Sequence, residues 1–146
     1  MDKFVRKLLF FSALVAFTSS CHAASPSELY ELQERCSRRA EELFIKNFAG
    51  GEIINTDDGK AFARYTNHFS NKLNKCFYLV TVANIPFDSS KESTTSITLY
   101  DVNQVREYGV KFTDGNSKSP SLCFVNGKDC HSDKEWSTLI RPYMEK

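Results

Sequence analysis

Apolar positions along this chain change period several times, and each change marks an element. Near the N-terminus, Leu8 to Phe17 is an apolar run broken only by Ser12. Lys3, Arg6 and Lys7 flank its start and small residues follow it. A positive start, a short apolar run and a small-residue end are the pattern of a secretory signal peptide. A membrane-spanning helix needs about 20 mostly apolar residues, more than this run has. Cys21-His22-Ala23 fits a small-x-small cleavage site. Residues 1–23 are therefore expected to be removed, leaving 24–146 as a single domain.

From Ser25 the period becomes helical. Ser25-Pro26-Ser27-Glu28 can cap a helix: Ser25 as cap, Pro26 at the first helical position, Glu28 three residues on. Leu29, Leu32, Cys36, Ala40 and Leu43 then recur at spacings of three and four, one face of an α-helix. Gly50-Gly51 ends it, so a helix is predicted over 27–48 with Cys36 pointing inward. At the other end of the chain, Ser132 and Glu135 repeat the capping signature. Trp136, Leu139, Ile140 and Tyr143 fall on one face of a closing helix over 132–145. Pro142 is expected to kink or fray its end.

Between the helices the period is two. Residues 61–69 ("AFARYTNHF") and 76–83 ("CFYLVTVA") read as strands, and "SNKLN" between them as the turn of a hairpin. The second strand is apolar on both faces, as an interior strand is. Residues 52–59 ("EIINTDDG") read as a turn region, and 84–96 as a polar loop. Residues 96–102 and 105–112 read as further strands, the latter interrupted by Gly109, and 113–121 as another loop. In "LCFVNGKDC", Asn126-Gly127 favours a two-residue hairpin turn. The fold class that results is α+β: a small, mostly antiparallel sheet packed by an N-terminal and a C-terminal helix.

Cysteine usage adds bracing. Loss of residues 1–23 takes Cys21 and leaves Cys36, Cys76, Cys123 and Cys130. Four cysteines in an exported chain point to two disulfides with three possible pairings. Counting outward from Asn126-Gly127 sets Cys123 opposite Cys130. Opposed strand residues lie about 4.5–5.5 Å apart at Cα, within the range a disulfide accepts. That leaves Cys36 with Cys76, helix to strand. A rival for Cys21 is lipid modification, giving a lipid-anchored envelope protein, although Thr18 stands where such sites usually carry Leu.

Charge narrows the partners. The full chain has 19 basic and 18 acidic residues, and loss of 1–23 leaves 16 and 17. No basic excess points to nucleic acid. No C-x-x-C, Gly-x-Ser-x-Gly or phosphate-binding glycine loop is present. Cys123, Cys130 and His131 could supply part of a zinc site, but disulfides explain these cysteines better, so no metal or cofactor is expected. Residues 52–59 lack the alternating oxygen ligands of a calcium loop. His68 is the histidine on which a small periplasmic hydrolase would have to rely, with no spacing that names its partner.

The segments "YTNHFSNKLNKCFYLV" (65–80), "YDV…EYG" (100–109) and "C…WSTLIRPYM" resemble small exported bacterial proteins of uncharacterised function. Asn67-His68 and Lys72-Leu73-Asn74-Lys75-Cys76 carry the resemblance. It implies a periplasmic, surface or released location and no activity. The expectation from the residues is an exported binding or interaction module for a protein or cell-envelope ligand. Arg64, Thr66, His68 and Lys72, near the hairpin, are its candidate surface, because loops on rigid scaffolds are common binding sites.

Overall fold

The computed structural model describes residues 25–50, 53–115 and 117–145. The expected signal peptide and Cys21 lie outside them. Helix α1 (Pro26–Phe48) begins with the full capping box. The Glu28 N–H donates to Ser25 Oγ, and the Ser25 N–H donates to Glu28 Oε2 at 2.6 Å. The helix ends where Ala49 (φ 51°) and Gly50 (φ 70°) turn left-handed.

Seven strands follow: β1 (Ile53–Thr56), β2 (Gly59–Ser70), β3 (Lys75–Pro86), β4 (Thr94–Asp101), β5 (Arg106–Asp114), β6 (Leu122–Val125) and β7 (Lys128–Asp129). Each pairs antiparallel with its neighbours in sequence, so they form one sheet in the order β1 to β7. Helix α2 (Asp133–Met144) closes the chain, capped by Ser132 and continuing through Pro142. The Glu135 side chain reaches the His131 N–H at 2.7 Å, one residue earlier than a capping box requires. The architecture is α+β and disulfide-braced.

The turn between β2 and β3 bends the chain back on itself. Ser70 pairs with Lys75, Phe69 with Cys76, and the register holds to Gly59 opposite Pro86. Asn74 makes the turn at φ 49°, a conformation asparagine tolerates better than most side chains. Residues 52–59 differ from expectation. Ile53 to Thr56 form β1 and pair with Gly59–Phe62 across the turn Asp57-Asp58. Four residues are too few for their alternation to stand out, and the open edge of β2 supplies the pairing. The loop expected over 84–96 also shrinks, because β3 runs to Pro86 and β4 starts at Thr94. Pro86 sits at a strand end, where its missing N–H costs little. Polar side chains there line an exposed ladder, with Asn84 Nδ2 donating to Thr94 Oγ1 at 3.3 Å.

Strand alternation divides the core between the two faces of the sheet. On one face, Cys36, Ala40 and Phe44 of α1 pack on Ala63, Cys76, Tyr78, Val80 and Val102. On the other, Trp136 of α2 packs with Phe77, Leu99, Cys123, Val125 and Cys130. The helices therefore sandwich the sheet, and β3 is buried on both sides. Each face carries one bridge: Cys36–Cys76, Cα atoms 5.4 Å apart, and Cys123–Cys130, 5.0 Å apart. The second spans the hairpin whose Asn126 (φ 49°) and Gly127 (φ 76°) make the turn. Two such bridges belong to an oxidising, extracellular-type environment.

Aromatic rings stack across the α1 face: Phe44–Tyr65 at 4.7 Å and Tyr65–Tyr78 at 5.4 Å. Tyr78 Oη is buried there without a hydrogen-bond partner, and burial pushes its phenol pKa well up. On the α2 face the buried carboxylate of Asp101 accepts from the Asn103 and Gln104 N–H groups (3.0 and 3.2 Å) and from Lys75 Nζ at 2.8 Å. These bonds hold the β4–β5 turn. Asp101 first, and then Tyr108 Oη, hold the Lys75 ammonium above its usual pKa.

Candidate functional site

Helices on opposite faces can meet only around the rim of the sheet between them. At the β2–β3 hairpin both line one groove. A groove of about 1040 Å³ is lined there by Pro26, Leu29, Tyr30 and Gln33 of α1. Its base is residues 68–72 of the hairpin, and its far side is Arg141 and Pro142 of α2 with Glu145, which caps that helix. The α1 wall follows from helical spacing: positions 26, 29, 30 and 33 are i, i+3, i+4 and i+7, a stripe offset from the core stripe of Cys36, Ala40 and Phe44. Leu29, grouped with the core by periodicity alone, belongs to the groove. Tyr30 is 72 % exposed.

Hydrogen bonds set the wall against the hairpin. Gln33 Oε1 accepts from the Phe69 N–H at 2.9 Å, and Gln33 Nε2 donates to Ser37 Oγ at 3.4 Å. Asn67 Nδ2 donates to Ser37 Oγ at 3.0 Å and lies 3.7 Å from Cys36 Sγ. The bridge from Cys36 to Cys76 pins the same corner covalently. The groove thus rests on a doubly fastened junction of α1, β2 and β3.

Of the four candidate surface residues, the structure brings two together. His68, half-buried, and Lys72, exposed in the turn, line the groove. Arg64 and Thr66 point from the same face of β2 as His68 but lie further along the strand, exposed and outside the groove. Sequence reasoning missed Tyr30, Arg141 and Glu145. The available signal for Tyr30 was an aromatic off the core stripe of an amphipathic helix. Nothing local could bring Arg141 to His68, since α2 reaches the hairpin only by crossing the sheet.

The charges of the groove are Lys72 and Arg141 against one carboxylate, Glu145, which lies 3.2 Å from Arg141 Nε with both side chains exposed. Ser70, beside His68, is buried at 4 % exposure. Along the α2 side of the sheet, beyond the helix, a second apolar area is exposed at Ile53, Phe62 and Ile85, with Phe87 following β3.

Cys123 and Cys130 are joined to each other, so the partial zinc set with His131 is spent. Among the described residues, no group of three or more His, Cys, Asp or Glu is placed to hold a metal ion. Among the same residues no helix is long and apolar enough to cross a membrane. No family model matches this chain, and neither a curated protein nor a solved structure matches it.

Proposed function

We propose that this chain is an exported binding module whose ligand seats in the groove at His68 and Lys72. The observation that carries the reading is the groove itself. It is concave, largely apolar and rimmed by a few charged groups, which is how small-molecule sites are usually made, and it is built on a covalently braced corner. Export is supported by the N-terminal pattern of charge, apolar run and small residues, together with two disulfides. The location is periplasmic or released, with the lipid-anchored form at Cys21 as the variant to test.

A small hydrolase working through His68 is the second reading. The concavity it needs is present. However, Ser70 at the groove's base is only 4 % exposed, and the groove's one carboxylate, Glu145, shares its charge with Arg141 in an exposed, exchangeable pair. A nucleophile and a base must face the same open space. Binding therefore has the better support.

The test is an amide-resolved NMR screen of the mature chain against a chemically diverse small-molecule set. Ligands that bind are expected to shift the amides of Tyr30, His68, Lys72 and Arg141. Hits that map only to the Phe62–Ile85 area, or none at all, would remove the groove from consideration. Mass spectrometry of native protein is expected to show Ala24 at the N-terminus. An acylated Cys21 would favour the envelope-anchored form.

A further inference from the structure

We propose that the groove takes a free long-chain fatty carboxylate, its apolar chain along the Pro26–Tyr30 wall and its anionic head at Lys72 and Arg141. This inference rests on the groove being the ligand site. Charge chooses the head. Lys72 and Arg141 against Glu145 leave one net positive charge on the groove. The Arg141–Glu145 pair is exposed on both sides, and exposed pairs are held weakly enough to exchange partners. A single anion matches this rim and a cationic head does not.

Hydrogen bonding chooses the body. A peptide laid along the wall brings one N–H and one C=O per residue, each of which needs a partner once water is displaced. The amide on the wall, Gln33, is engaged at both ends, by the Phe69 N–H and by Ser37. What the wall offers is apolar surface: Pro26, Leu29 and the 72 %-exposed ring of Tyr30, with Pro142 facing them. An acyl chain covers that surface and brings no polar group of its own that needs a partner. The volume, about 1040 Å³, is at the upper end for small-molecule sites and suits a long flexible chain.

The experiment compares probes that share one chain and differ in head. Isotope-labelled protein is titrated, below micelle formation, with dodecanoate, dodecyl maltoside and dodecyltrimethylammonium, and separately with phosphatidylglycerol vesicles. Dodecanoate is expected to shift the amides of Leu29, Tyr30, Lys72 and Arg141. It should bind about two- to fivefold more tightly than the uncharged maltoside, the ratio expected of an exposed charge contact. Lys72→Glu should erase that preference. Tyr30→Ser, at an exposed position that should not disturb folding, should weaken both probes equally. Equal affinities for the anionic and neutral heads would overturn the proposal. So would shifts confined to Phe62 and Ile85, or a response to vesicles alone. If dodecanoate fails while another compound shifts the groove amides, the fatty-acid assignment falls and the binding reading stands. If the groove responds to nothing, both fall.

Discussion

Removing the two disulfides one at a time separates chain entropy from packing, because the bridges differ sharply in the length of chain they close. Cys36 and Cys76 are 40 residues apart, Cys123 and Cys130 only 7. In the loop-closure model the first bridge constrains the unfolded chain by about 4 kcal/mol and the second by about 2.4 kcal/mol. All four cysteines are buried, so replacing either pair with alanine leaves similar small voids, and those costs largely cancel in the comparison. The difference, about 1.5 kcal/mol, depends only on the ratio of loop lengths. Urea unfolding of Cys36→Ala/Cys76→Ala and of Cys123→Ala/Cys130→Ala, each against the parent, measures it. The long-loop variant should lose more stability and also show a steeper denaturant slope, since its unfolded state expands further. If the short-loop variant lost as much stability as the long-loop one, or more, the entropic account of this bracing would be wrong. The bridges would then have to be understood through native-state contacts such as that between Asn67 Nδ2 and Cys36 Sγ.

Three further outcomes follow from particular residues. Tyr78→Phe should stabilise the fold by about 1 kcal/mol in chemical denaturation, because it removes a buried hydroxyl with no partner and keeps the ring. Gly109→Ala should destabilise by about 2 kcal/mol, since its Cβ would sit 2.7 Å from the Phe124 carbonyl oxygen, next to the β4–β5 register shift. Glu28 is held below the ordinary carboxylate range, first by its bond from the Ser25 N–H. Its contribution to α1 should therefore be present above about pH 4.5 and be lost as pH falls through the lowered value. Amide exchange at Ser25 and Glu28 would report that loss, and Glu28→Gln should abolish the pH dependence.

Elements that declare themselves locally were legible. The capping box at Ser25, the helical stripe through Cys36 and Ala40, and the Asn126-Gly127 turn each depend on residues a few positions apart. The turn then set Cys123 against Cys130, and elimination paired Cys36 with Cys76, as the structure has them. β1 escaped because four residues carry too little alternation. It exists because β2 offers an edge. The ends of β3 and β4 escaped because polar residues on an exposed ladder resemble those of a loop. That α1 and α2 take opposite faces follows from strand parity once the register is known, but no local pattern states which face each helix chooses. The groove needed that information, which is why His68 and Lys72 could be named beforehand while Tyr30, Arg141 and Glu145 could not.

The hydrogen bond from the Phe69 N–H to Gln33 has a bearing on colloidal behaviour. β1 covers only the first four residues of β2, so among the described residues the stretch from Ala63 to Ser70, paired with β3 on one edge, has no strand on the other. Bare strand borders of that length invite fibril-like sideways growth between molecules. A side-chain amide that occupies a main-chain donor on that border interrupts the template an incoming strand would copy. In concentrated solution, Gln33→Ala would be felt first as a tendency to precipitate, before any loss of shape.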